Sequence, residues 1–90
     1  MEDKTLVKTA QIKHLILFLQ KNSNYIVNLE LNGEEDFYFI KVKNQNNDIL
    51  LEKKIESFSK KAEALILNQL EKIADELLTL KNQLKWKVLN

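Results

Sequence analysis

The chain has no cysteine, no proline and no arginine, and it carries one glycine, Gly33, and one histidine, His14, in 90 residues. Each absence excludes something. Without cysteine there is neither a disulfide framework nor a thiolate metal site, and nothing demands an oxidising compartment, so a cytoplasmic location is expected. A single glycine cannot build the glycine-rich loop that cradles phosphates, so nucleotide chemistry is unsupported and no cofactor is expected. With lysine as the only strong base, the bidentate fork favoured for reading guanine and clamping phosphate is missing. Long apolar runs are also absent. Leu15 to Leu19 is too short to span a membrane and is followed by Gln20-Lys21-Asn22 rather than a small-residue cleavage site. A net charge of +1 gives no bulk attraction to nucleic acid or to an anionic membrane. Residues 31–56 lean acidic and residues 57–90 lean basic.

What is present is periodicity. Thr5 to Gln20 places Leu6, Ala10, Leu15, Ile16 and Leu19 at helical spacing, so a first helix is expected over residues 5–21, with Asp3 as its cap and Asn22-Ser23-Asn24 as its stop. From Tyr25 the period becomes two. Tyr25, Val27, Leu29 and Leu31 form one strand face, Asn32-Gly33 offers a hairpin turn with positive φ, and Tyr38, Ile40 and Val42 form the buried face of the returning strand. After a polar turn at residues 44–48, Ile49, Leu51 and Ile55 fit a third strand on one face. Residues 49–56 also fit an early start to the last helix. That helix is read over residues 57–85, with Ile66, Leu70, Ile73, Leu77, Leu80 and Leu84 as a coiled-coil-like seam. One α+β domain is therefore expected over residues 1–90, a three-stranded antiparallel sheet with one face covered by two helices.

In this setting Ser57-Phe58-Ser59-Lys60-Lys61-Ala62, together with Tyr25 and the Tyr38, Ile40, Val42 pattern, resembles the double-stranded RNA-binding domain over roughly residues 5–74. The resemblance implies an α-β-β-β-α fold that grips phosphate with Lys60 and Lys61 at the start of the last helix and touches minor groove with first-helix polar residues such as Gln11 and Gln20. The hairpin loop departs from the family, because Glu34, Glu35 and Asp36 would meet phosphate with like charge.

Catalytic candidates are few. His14 stands on a helix with no nucleophile placed beside it in sequence, and successive carboxylates in a turn point apart, so no enzyme, metal site or small-molecule site is expected. Two features point to partners instead. Phe37 and Phe39 fall on the sheet face opposite Tyr38, where they are either core of a flipped sheet, a protein contact or a stacking surface for bases. The last helix overhangs the expected first helix, leaving Leu77, Leu80, Leu84 and Trp86 without an internal cover. The expectation is a non-enzymatic protein-interaction module without membrane contact, a homodimer, adaptor or stoichiometric inhibitor acting through that helix. In size and style it is similar to the inhibitors of mobile elements, anti-CRISPR proteins among them, and the acidic hairpin Glu34-Glu35-Asp36 suits mimicry of phosphate on a basic target. Nucleic-acid binding through Lys60 and Lys61 is the alternative.

Overall fold

The computed structural model describes the backbone of residues 4–89 and the side chains of residues 4–84. The Asp3 cap and the Trp86 side chain lie outside the described residues. Helix α1 (Lys4–Asn22) leads into strands β1 (Ile26–Asn32), β2 (Phe37–Lys43) and β3 (Ile49–Glu56), and helix α2 (Glu63–Leu89) follows. The strands form one antiparallel sheet in the order β1-β2-β3, the expected α+β architecture with its third strand in place.

Local chemistry explains the first boundary. The Asn22 side-chain amide donates to the Phe18 carbonyl at 2.8 Å, and the Ser23 hydroxyl donates to the Leu19 carbonyl while accepting the Tyr25 N–H at 3.1 Å. These side chains satisfy helix-end groups and turn the backbone out into β1. Tyr38, Ile40 and Val42 then alternate inward from β2 and are buried beneath the helices, flanked by Leu51 and Ile55 of β3. A register shift at Val42/Lys43 pairs Leu51 with Val42 but Ile49 with Lys43. That bulge turns Ile49 to the outer face, so it leaves the side expected from strict alternation and is exposed.

Two turns differ from expectation. Gly33 does not take a positive φ; that conformation falls on Asp36 (φ 58°) at the end of a loop over residues 33–36. The loop is instead fastened by Asn32, whose side-chain oxygen accepts the Glu35 N–H at 2.8 Å. The last helix begins at Glu63 rather than Ser57. Ser57 has φ 52°, and its carbonyl accepts the N–H groups of Lys60 and Lys61 at 3.0 and 3.1 Å, which forms a turn ahead of the helix. Lys60 and Lys61 therefore precede α2 and do not sit in its first turn.

The seam of α2 is buried, but inside this chain. Ile66, Leu70, Ile73, Leu77, Leu80 and Leu84 all belong to the core with Ile12, Leu15, Ile16 and Leu19 of α1. The expectation that Leu77, Leu80 and Leu84 lack an internal partner is thus corrected. Beginning at Glu63 moves α2 back by about two turns relative to the expected helix. Both helices also run from the hairpin end of the sheet to its far end, so their C-terminal ends lie together: Lys81 reaches the Phe18 ring at 4.7 Å, and Leu84 borders Ser23 and Tyr25. At about 1.5 Å per residue, the 27 residues of α2 span most of the 44 Å long axis of the molecule.

Candidate functional site

With the α2 seam internal, exposed apolar surface concentrates elsewhere. Along β1 the inner face opens progressively: Tyr25 and Val27 pack on the core, Leu29 is 41 % exposed and Leu31 65 % exposed. Across from them α1 contributes buried residues only from Ile12 onward, and Leu6 is 67 % exposed. The two elements thus bound a wedge of about 320 Å³, closed near Val27 and open toward the hairpin, lined by Leu6, Thr9, Ala10, Lys13, Leu29, Leu31 and Tyr38. Its walls are apolar except at the Lys13 and Thr9 rim.

Tyr38 forms part of this wedge and carries its one anomaly. The ring stacks on Phe58 with centroids 5.4 Å apart and planes 19° from parallel. Its hydroxyl is enclosed with no hydrogen-bond partner among the described residues, and burial pushes its pKa up to about 12. An enclosed donor without an acceptor is a local cost of folding.

The acidic hairpin has a structural role that the sequence did not signal. The Asp36 carboxylate accepts the Ser59 N–H and the Ser59 hydroxyl, both at 2.9 Å, while the Asp36 carbonyl accepts the Phe58 N–H at 3.0 Å. This latch ties the β1–β2 loop to the turn before α2. The Asp36 carboxylate is committed to this latch, Glu34 and Glu35 are exposed in the same loop, and the exposed Lys60 and Lys61 directly follow Ser59 in the turn. Like and unlike charges mix there, so this end of the molecule does not present one sign. Gln11 and Gln20 are both exposed, but nine residues of helix place them on opposite sides of α1, at about 100° per residue. Gln11 also accepts from Lys8 at 3.1 Å. The structure does not bring the two glutamines onto one face.

Phe37 and Phe39 lie half-buried on the sheet face away from the helices, so the flipped-sheet alternative is overturned. They are not bare platforms. Lys54 holds its ammonium 4.5 Å from the Phe37 ring centre, and Phe39 stands in register between Glu30 and Lys54. The Lys41–Glu52 pair at 3.4 Å and the Lys54–Glu56 pair at 3.9 Å complete a charged frame around them. Such exposed pairs contribute little stability but cover the rings.

No group of three or more His, Cys, Asp or Glu side chains is placed to hold a metal among the described residues, and none of the described helices is long and apolar enough to cross a membrane. In comparisons with known proteins, no family model, no curated protein and no solved structure matches the chain. The α-β-β-β-α order is compatible with the double-stranded RNA-binding fold, and the likeness stops at topology.

Proposed function

We propose that this chain is a non-enzymatic protein-interaction module, a small adaptor or stoichiometric inhibitor, and that its contact surface is the α1–β1 wedge. The observation that carries the reading is the exposure of Leu6, Leu29 and Leu31 side by side on an otherwise packed inner layer. Scattered surface leucines are ordinary, whereas a contiguous apolar wedge beside a strand edge that no other described strand pairs is where proteins receive partners. Covering each of these leucines would contribute about 1–2 kcal/mol. The test compares the wild-type chain with Leu31→Lys, which leaves the buried core untouched. The wild type should form a stoichiometric complex, with itself in sedimentation or with one protein in affinity capture, and Leu31→Lys should lose it while keeping its circular dichroism. A complex indifferent to Leu31→Lys, or no complex at all, refutes the reading.

A second reading, nucleic-acid binding in the manner of the double-stranded RNA-binding fold, is supported by the shared topology and by the exposure of Lys60 and Lys61 beside the hairpin loop. It requires a shift of duplex RNA at low salt that weakens steeply with added salt and is lost on Lys60→Glu with Lys61→Glu. Absence of a shift at low salt removes it.

A further inference from the structure

We infer that the occupant of the α1–β1 wedge is a second copy of this chain, joined by antiparallel pairing of the two β1 strands about Leu29. The inference rests on the interaction reading above and adds the partner and the register.

The two edges of the sheet are built differently. The β3 edge carries Glu52, Lys53, Lys54 and Glu56 and is broken by the bulge opposite Val42/Lys43, which are the devices that prevent edge-to-edge association. The β1 edge, Ile-Val-Asn-Leu-Glu-Leu-Asn, has no proline, no lysine and no bulge in its pairing with β2, and Glu30 is its single charge. One edge is defended and the other is open.

The sequence of β1 also suits pairing with itself. A two-fold contact requires a surface complementary to its own copy, and in antiparallel pairing that fixes one residue on the axis. Leu29 is the midpoint of Ile26–Asn32, so an axis there pairs the whole strand: Leu29 with Leu29, Asn28 with Glu30, Val27 with Leu31 and Ile26 with Asn32. Apolar residues meet on the helix side. On the outer side each Glu30 meets an asparagine amide, whereas an axis at Glu30 would oppose two carboxylates directly. Lys13 stands at the rim, where its stem can follow the apolar wall and its ammonium can remain in water.

The area is adequate. A seven-residue strand is about 23 Å long, and the strand edge with the adjoining flank of α1 is about 20 Å deep, which gives roughly 500 Å² from each copy. The total of about 1,000 Å² reaches the lower limit for a specific interface and predicts a reversible rather than a permanent dimer.

Because the chain has no cysteine, single cysteines report the register cleanly. With the axis at Leu29, the two copies of that residue have Cα atoms about 4.5–5.5 Å apart, within disulfide reach, while the two copies of Ile26 lie about 20 Å apart. Under mild oxidation Leu29→Cys should convert almost fully to a covalent dimer and Ile26→Cys should not. In the unsubstituted chain, the edge-facing amides of β1 should become more protected from hydrogen exchange as concentration rises, a readout free of any effect of substitution on folding. A dimer in which Leu29→Cys fails to cross-link and the β1 amides exchange freely overturns this pairing but leaves the interaction reading intact. A chain that stays monomeric at about 0.1 mM and above while binding a different protein through Leu31 overturns the second copy as occupant. Loss of all association, in any form, overturns both.

Discussion

Replacing Leu77 by alanine separates a helix seam that holds this chain together from one reserved for a partner. Leu77 is 0 % exposed, among Leu70, Ile73, Ala74 and the α1 residues of the core, whereas its neighbour Leu78, about 100° further round α2, is 40 % exposed. Removing the buried leucine side chain forfeits its transfer free energy and leaves a cavity that a packed core fills only in part, a loss of about 3 kcal/mol. A domain of 90 residues has a total stability of about 5–13 kcal/mol, so the substitution removes a large fraction of it. The corresponding fall in Tm is about 12–24 °C. Leu78→Ala should cost less than about 1 kcal/mol.

Urea unfolding followed by circular dichroism, at several protein concentrations, measures both variants. The Leu77→Ala deficit should be the same at every concentration, because the packing it removes lies within one chain. A deficit below about 1 kcal/mol, or one that appears only where the chain self-associates, would show that the C-terminal half of α2 is packed by a partner and that the intramolecular account is wrong.

Two further predictions concern groups away from the α2 seam. Asp36→Ala should destabilise by about 1–3 kcal/mol, since it removes two bonds to Ser59 and places an alanine at φ 58°, while Ser59→Ala should cost less because the Asp36 backbone conformation and the Phe58 bond survive; equal losses in urea unfolding would contradict the latch. Tyr38→Phe should raise stability by up to about 1 kcal/mol by deleting an enclosed hydroxyl that has no partner among the described residues. The pH dependence follows from the same group: its folded pKa, about 12, lies above the ordinary 10.0, so its contribution is intact below pH 10 and is lost as pH rises toward 12. Tyr38→Phe should therefore lose less stability than the wild type between pH 10 and 12, and equal losses would show that the hydroxyl is not buried.

Periodicity made the secondary structure legible. Alternation at Tyr38, Ile40 and Val42 assigned the buried side of β2, and the four-and-three spacing from Ile66 to Leu84 picked out the buried stripe of α2. The absence of an internal partner for that stripe did not follow, because it depended on where α2 begins. Ser57 and Asp36, both at positive φ without being glycine, are held by contacts between residues 36 and 57–59, and no local sequence signal reports contacts of that range. The bulge that moves Ile49 to the outer face is likewise a pairing event between strands. The wedge depends on how α1 diverges from β1, which no window of sequence encodes. Its residues were visible only as apolar positions in each separate pattern.

The latch and the wedge have one geometric origin. A loop following β1 could in principle fold over the exposed end of that strand and shelter Leu31. Here the loop ends in Asp36, whose carbonyl and carboxylate are committed to Phe58 and Ser59 on the far side of β2. The hairpin tip is held toward β3 and α2, and Phe58 is fixed against Tyr38 on that same side. Coverage of the β3 side of the sheet is therefore coupled to exposure of the β1 side. Releasing the loop to cover Leu29 and Leu31 would gain about 1–2 kcal/mol for each leucine buried but would give up the Asp36 bonds to Phe58 and Ser59, a loss of about 1–3 kcal/mol. On the reading proposed above, the association surface lies on β1, opposite the bulged and charged edge, and the Asp36–Ser59 latch is the element that keeps Leu29 and Leu31 accessible.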